Sequence, residues 1–326
     1  MSNQVLEKIA DFAIEELEIA NNIYHVAQGV WRLKDKFVNV FLIQNNKNSD
    51  WVLVDAGLPG SAQKIKQMIA EVISPGAIPS AIILTHGHFD HRGSLEELAE
   101  EWQIPVYAHH MELPYLNGKS SYPPADPTVG GGALASLSFT YPNKPINIEK
   151  HLKELPEDGT IPELKGWSWI HTPGHTPGHI SLFRKKDKVL IAGDACVTTK
   201  QESIYFVITQ KRIVSSPPKY FTPDWRSAAH SVRELASLEP EVLVSGHGAA
   251  MYGKEAKKGL HKLSVFFYKL GIPKTGRYVD DPALFDEEGV TYVPPRPTNY
   301  TLWFTATIAA VGTLGLSLYL FSRNKK

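Results

Sequence analysis

Three features are scarce in this sequence of 326 residues: cysteine, an excess of either charge, and an apolar N-terminus. The single cysteine, Cys196, excludes an internal disulfide framework and favours a reducing compartment. The 34 basic and 34 acidic residues give a formal net charge of zero without long basic runs, so we expect no nucleic-acid partner. Charged side chains interrupt residues 1–21, so we also expect no secretory signal peptide.

One long apolar run is present near the end of the sequence. Residues 302–321 contain no charged side chain, and a short basic tail follows at residues 322–326. A helix of this length would span about 30 Å, the thickness of the hydrocarbon core of a bilayer. We therefore predict a single C-terminal transmembrane helix, joined to the rest of the protein by a proline-rich linker at residues 271–301. We expect the preceding domain to face the cytoplasm, although the basic tail alone favours the opposite orientation.

The pattern over residues 1–270 is typical of one α/β domain. Apolar runs at residues 23–30, 37–44 and 51–55 predict strands, and strands alternate with helical periods after them. Residues 113–145 break this pattern with proline, glycine, serine and tyrosine. A long irregular segment inside a compact domain predicts a lid or a binding loop.

The strongest chemical signal is the segment Thr-His-Gly-His-Phe-Asp-His at residues 85–91. It follows a predicted strand and places four metal-ligand side chains within six residues: His86, His88, Asp90 and His91. Two histidines separated by one residue can direct their imidazoles at one cation, while the next aspartate and histidine face a second position. The spacing therefore predicts a site for two divalent cations, with zinc as the default metal and iron or manganese as open alternatives.

This segment resembles the H-x-H-x-D-H signature of the metallo-β-lactamase superfamily. Three later segments resemble the other ligand elements of that family, in the same order: residues 172–179 with His175, residues 193–194 with Asp194, and residues 245–248 with His247. The resemblance covers about residues 20–270. It implies the αββα sandwich of that family, in which two mixed β-sheets are flanked by helices.

The resemblance also implies a role for each of these side chains. The first metal would be held by three histidines, His86, His88 and His175. The second metal would be held by Asp90, His91 and His247. Asp194 would be shared by both metals, and Asp90 would also be catalytic because it orients the nucleophile. Two further residues, Asp55 and His179, are candidates for supporting the ligands from behind.

The resemblance implies a two-metal hydrolase in which a hydroxide bridging the metals attacks a small-molecule ester, thioester or lactone. A histidine at position 88 favours hydrolysis over the oxygen reduction typical of flavodiiron proteins, which carry glutamate there. The repeat at residues 172–179 most resembles the glyoxalase II and lactonase branch. Three alternatives stay open: a β-lactam hydrolase, a phosphodiesterase of the same fold, and an inactive membrane-tethered binding protein.

Overall fold

Two mixed β-sheets form the body of the protein in a computed structural model, which describes residues 15–44 and 50–296. The strands of the first sheet are β1 (Leu17–Ala20), β2 (Ile23–Ala27), β3 (Val30–Asp35), β4 (Val38–Gln44), β5 (Trp51–Val54), β6 (Ala81–Ile83), β7 (Val106–Ala108) and β8 (Leu152–Glu154). Those of the second are β9 (Trp167–His171), β10 (Ile180–Arg184), β11 (Val189–Ile191), β12 (Val242–Val244) and β13 (Met251–Tyr252).

Both sheets combine parallel and antiparallel pairs. The first sheet follows chain order, with antiparallel pairs from β1 to β5 and parallel pairs from β5 to β8. The second has the order β13-β12-β11-β10-β9, and β11 and β12 form its parallel pair. The prediction of one strand over residues 23–30 is wrong in detail, because a turn separates β2 from β3. Gly29 has a positive φ of 69° in that turn, and a side chain there would overlap the carbonyl of Gln44.

Alternating side chains place the two sheets face to face. On β5, Val52 and Val54 belong to a core that also contains Leu182 and Val244 of the second sheet. Leu53, which points to the opposite face of the same strand, belongs to a different core beneath helices. This period of two is the geometry of a strand that is buried on both faces.

Helices cover the outer face of each sheet. The helices are α1 (Ala62–Val72), α2 (Leu95–Trp102), α3 (Leu113–Leu116), α4 (Ala133–Ser136), α5 (Ile204–Thr209), α6 (Trp225–Ser237), α7 (Gly253–Val265) and α8 (Phe267–Leu270). α1 and α2 pack on the first sheet and α6 and α7 on the second, through stripes of apolar residues at helical spacing. The prediction of two mixed sheets flanked by helices is therefore confirmed.

The segment predicted as a lid, residues 113–145, contains short helical turns and otherwise irregular backbone. Residues 271–296 differ from the predicted linker because they pack against the domain. They include a hairpin of β14 (Leu284–Asp286) and β15 (Gly289–Tyr292), and the buried Tyr278 donates a hydrogen bond to the carbonyl of Pro124. Within the described ranges no helix is long and apolar enough to cross a membrane, and the predicted transmembrane segment lies outside them.

Candidate metal centre

Loops at one edge of the two sheets carry the predicted ligands. The loop after β6 carries His86 to His91, and the loops after β11 and β12 carry Asp194 and His247. β11 and β12 are parallel, so the loops that follow them emerge side by side. The β9–β10 hairpin, which carries His175, reaches the same edge because β10 runs antiparallel to β11. Strand direction thus explains how residues up to 161 positions apart converge, from His86 to His247.

The structure brings all seven predicted ligands together. They form three overlapping groups in which the ligand atoms lie within 4.8 Å of one another: His86, His88 and His175; His86, His91 and Asp194; and Asp90, His91 and His247. All seven side chains are buried. The first and third groups are the two ligand sets implied by the resemblance, and the arrangement is consistent with a binuclear metal centre.

Asp194 lies between the two sets. Its Oδ2 atom is 3.1 Å from Nε2 of His247, 3.4 Å from Nε2 of His175 and 3.6 Å from Nε2 of His91. Nε2 of His247 is also 3.5 Å from the Oδ2 atom of Asp90. One carboxylate therefore contacts a histidine of the first set and two histidines of the second.

Several buried ligand atoms lack a partner that would satisfy them. Nε2 of His86, Nε2 of His91 and Oδ1 of Asp194 make no hydrogen bond within the described part of the chain. An unsatisfied buried polar group costs about 1–3 kcal/mol, so native proteins rarely leave several of them in one place. Nitrogen and carboxylate donors in this number are what a divalent cation of the zinc type requires. The residues present therefore fit two divalent metals.

The histidines of the two ligand sets differ in the direction in which their pKa is shifted. Burial, together with the neighbouring imidazoles, lowers the pKa of His86 and His88 well below the usual value, and that of His175 to about 3. Burial acts in the same direction on His91, but the carboxylates of Asp194, Asp55 and Asp90 outweigh it and raise the pKa of His91 well above 6.5. The first set is thus held as neutral imidazoles, the form that binds a metal, whereas carboxylates surround the second set.

Hydrogen bonds orient the ligands from behind. Asp55 accepts from Nδ1 of His91 at 2.8 Å and from the backbone amide of Thr85 at 2.8 Å. Nδ1 of His247 lies 2.7 Å from the carbonyl of Phe37. Each contact leaves the Nε2 atom of the ring facing the centre, which is how outer partners select the tautomer of a ligating histidine.

His179 holds the backbone at Asp194 and belongs to none of the three ligand groups. Its Nε2 atom accepts a hydrogen bond of 2.8 Å from the backbone amide of Asp194, and its Nδ1 atom lies 2.8 Å from the hydroxyl of Thr172. The neighbouring Gly193 has a positive φ of 52°, and a Cβ atom there would lie 2.6 Å from the His179 ring. The Asp194 turn and the His179 ring therefore fit only when residue 193 has no side chain.

A narrow, largely apolar pocket opens onto the first set of ligands. His88 and His175 lie in its wall, and its other lining residues are aromatic or proline: Tyr122, Pro123, Pro124, Phe221, Pro223 and Tyr278. No lysine or arginine is among the described residues that line it. The segment at residues 113–145 supplies one side of this wall, and residues 271–296 supply Tyr278.

Two tyrosines of that segment form hydrogen bonds with other residues of the domain. Tyr122 donates to the carboxylate of Glu112, and Tyr141 donates to the carbonyl of Leu134 at 3.1 Å. Both hydroxyl groups are therefore engaged within the protein. Cys196 is fully buried, and its burial raises the pKa of the thiol to about 12.

Three further residues of the site were not predicted from the sequence, whereas Asp55 and His179 were. The carbonyl of Phe37 and the side chain of Asn39, which donates to the carbonyls of Ser245 and Gly248, both hold the His247 loop. A backbone carbonyl has no signature in a sequence, and Asn39 reads as an ordinary polar residue in a strand. Tyr278 was missed because its segment was interpreted as a linker.

Comparison with known proteins gives the same family. Residues 33–247 match the family model described as the metallo-beta-lactamase superfamily. The probable metallo-hydrolase YflN of Bacillus subtilis is 48% identical over 242 residues, which cover 74% of this chain and 92% of that protein. The hydroxyacylglutathione hydrolase GloC of Haemophilus influenzae is 26% identical over 49% of this chain and 70% of its own length.

A solved structure supports the fold. A subclass B3 metallo-beta-lactamase from a soil metagenome library matches with a TM-score of 0.52 and 19% identity, over 77% of this chain and 95% of its own. At that identity the match concerns the fold alone. The family match, the identity to YflN and the buried histidine–aspartate groups agree with one another. The chain therefore belongs to the metallo-beta-lactamase superfamily and is a metallo-hydrolase of that fold.

Proposed function

We propose that the protein is a two-metal hydrolase that cleaves a small-molecule ester, thioester or lactone. One metal is held by His86, His88 and His175, and the other by Asp90, His91 and His247, with Asp194 shared. The position of Asp194 carries this proposal, because its Oδ2 atom lies 3.1–3.6 Å from histidines of both sets. We propose zinc as the native metal.

Bound in this centre, divalent cations lower the pKa of coordinated water from about 15.7 towards about 7 and polarise the bond under attack. The chain contributes the carboxylate of Asp90, which lies beside His247 and whose pKa is raised by burial. A carboxylate in this position orients the attacking water and accepts its proton. Cys196 is not a nucleophile of this centre, since it is fully buried and packs in the core beneath α6 and α7.

Two observations support this substrate class. The narrow pocket beside His88 and His175 has a lining of aromatic and proline side chains, so the surface next to the first set of ligands is largely apolar. The name of the relative GloC, a hydroxyacylglutathione hydrolase, supports a thioester as one member of the class.

The test combines metal analysis with a panel of substrates. The purified protein should contain close to two equivalents of divalent metal and should hydrolyse an ester, thioester or lactone faster than nitrocefin or a phosphodiester. His88→Ala and Asp90→Ala should abolish turnover while the far-ultraviolet circular dichroism spectrum persists. Two findings would refute the proposal: no metal uptake in the presence of added zinc, or full activity in either variant. Preferred cleavage of nitrocefin or of the phosphodiester would identify one of the alternative activities instead.

We further propose that residues 302–321 anchor the hydrolase to a membrane, with the catalytic domain on the cytoplasmic side. The support for the anchor is the 20-residue run without charge. Protease added to intact spheroplasts should leave the domain uncleaved, and lysis should expose it. Recovery of the full-length chain in the soluble fraction would contradict the anchor, and cleavage before lysis would contradict the orientation.

A further inference from the structure

Glu112 is a fully buried carboxylate that the proposed reaction does not use. It ends the short 3-10 turn His110–Glu112, which follows β7 in the first sheet. It belongs to none of the three groups of ligand atoms. A buried carboxylate is costly unless hydrogen bonds satisfy it, so its partners indicate why it is there.

The two oxygens of Glu112 bind different loops of the metal centre. Oε2 accepts from the backbone amide of Gly87 at 2.8 Å and from the hydroxyl of Tyr122. Oε1 accepts from the hydroxyl of Thr176 at 2.7 Å and from the backbone amide of Gly178 at 2.9 Å. Gly87 lies between His86 and His88, and Thr176 directly follows His175. One carboxylate thus joins the two loops that carry the first set of ligands.

The glycines of both loops leave room for this carboxylate and its partner. A Cβ atom on Gly178 would lie 2.8 Å from Cγ of Glu112, and a Cβ atom on Gly87 would lie 2.6 Å from the hydroxyl oxygen of Tyr122. Both distances are shorter than ordinary van der Waals contact. The loops therefore approach Glu112 as closely as they do only because neither position carries a side chain.

The same contacts connect the centre to residues 113–145. The Tyr122 ring lies 4.7 Å from the His88 ring, measured between centroids, while its hydroxyl is bound to Glu112. The peptide of Gly87 has a second contact, because Nε of Arg92 donates to its carbonyl at 2.5 Å. The Gly87 peptide is thus held at its amide by Glu112 and at its carbonyl by Arg92.

We propose that Glu112 is a positioning residue that joins the His86–His88 loop to the His175 loop and thereby sets the metal affinity of the first site. The proposal rests on the ligand assignment given above. Its physical basis is that Nδ1 of His88 and Nε2 of His175 lie 3.0 Å apart, on loops whose backbone is bound to the two oxygens of one carboxylate. The second set is held by other contacts, those of Asp55 and Phe37, so it does not depend on Glu112.

The test is a zinc titration of metal-free protein against a chromophoric chelator, comparing wild type with Glu112→Gln. Glutamine has the same shape, but an NH2 group replaces one of the two carboxylate oxygens. This NH2 group is itself a donor, so it cannot accept from the N–H and O–H groups that it would face. We expect one of the two zinc equivalents to bind 10- to 100-fold more weakly, the range seen when the outer partner of a ligand is lost, while the other keeps its affinity. The matched control is Glu154→Gln, an exposed carboxylate on β8 that should leave both affinities unchanged.

The possible outcomes separate this proposal from the function. If wild type binds no zinc, the ligand assignment itself fails. If wild type binds two equivalents and Glu112→Gln binds both with wild-type affinity, only the role of Glu112 is refuted. An equal loss at both sites would indicate general destabilisation and would also refute it. If Glu112→Gln fails to fold, Tyr122→Phe replaces it, because this variant removes only one of the donors to Glu112. The proposal then requires that Tyr122→Phe bind one zinc equivalent more weakly than wild type and the other with unchanged affinity.

Discussion

Nδ1 of His88 lies 3.0 Å from Nε2 of His175, although the two residues are 87 positions apart and lie on loops that follow strands of different sheets. Burial lowers the pKa of both rings, so both are neutral at physiological pH. A proton on either nitrogen can make one hydrogen bond between them, whereas a cation would bind both at once. The pair therefore links the fold to metal binding.

Removing the metals should destabilise the folded protein. A ligand that binds only the native state adds about 2.7 kcal/mol when its free concentration is 100 times its dissociation constant. For a domain of this size that corresponds to several degrees in the unfolding temperature. Differential scanning calorimetry should show a lower Tm after dialysis against a chelator and recovery on addition of zinc. Equal Tm values for the two forms would contradict a native metal centre.

Asp55→Asn should weaken the second metal site. The variant replaces the carboxylate that faces Nδ1 of His91 with a neutral amide, so the ring loses the partner that favours its ligating tautomer. We expect a 10- to 100-fold loss in zinc affinity or in kcat/KM. The control is Asp280→Asn, which changes an exposed carboxylate. Unchanged zinc affinity and kcat/KM in Asp55→Asn would show that the contact does not orient the ligand.

Gly246→Ala should disrupt the centre through steric overlap. A Cβ atom at this position would overlap Oδ1 of Asp194 and lie 2.6 Å from Cε1 of His91. We expect loss of bound metal and at least a 100-fold fall in activity, since both a shared and a second-site ligand must move. Metal content and turnover are measured together. Gly76→Ala is the control, because the space around Gly76 is open although its φ is 75°, and it should lower stability slightly while keeping full activity.

The stability of the protein should fall in mild acid partly because of His109. Burial, together with the neighbouring His171 and His110, lowers the pKa of His109 to about 3. The unfolded chain takes up this proton near pH 6.5, and the folded protein does so only near pH 3. The contribution of His109 is therefore complete above pH 6.5 and is lost as the pH falls from 6.5 towards 3.

Urea unfolding at several pH values checks this expectation. His109→Gln should show a shallower loss of unfolding free energy below pH 6.5 than wild type, by at most about 1.4 kcal/mol per pH unit. The exposed His230, replaced in the same way, should leave the slope as it is. Parallel curves for wild type and His109→Gln would rule out this linkage.

Much of the fold could be predicted because its signals are local. The sequence of helix α2 has apolar residues at helical spacing, and these are the residues that the structure buries: Leu95, Leu98, Ala99 and Trp102. The strands β7, β9 and β10 also coincide with apolar runs in the sequence. The hairpin at residues 23–35 was not predicted because its turn depends on the positive φ of Gly29. The turn also needs a residue without a side chain, since a Cβ atom at position 29 would overlap the carbonyl of Gln44.

Other outer parts of the site, unlike Asp55 and His179, could not be predicted from the sequence. Glu112 contacts residues 25 and 66 positions away, and Phe37 contacts His247 through a carbonyl 210 positions away. Tyr278 reaches the pocket only because residues 271–296 fold back onto the domain. Such contacts depend on the path of the backbone, which no local pattern of residue types encodes.

Residue types account for the chemistry expected of this protein: four ligand side chains within six residues and three further ligand segments in the order of the family. Metal binding needs particular donor atoms, and donor atoms are a property of residue types. Which donors meet depends on the tertiary structure, which places Asp194 between the two sets and one buried glutamate between two loops. The reason is that strand direction and close packing of loops, rather than residue type, set distances between side chains far apart in the chain.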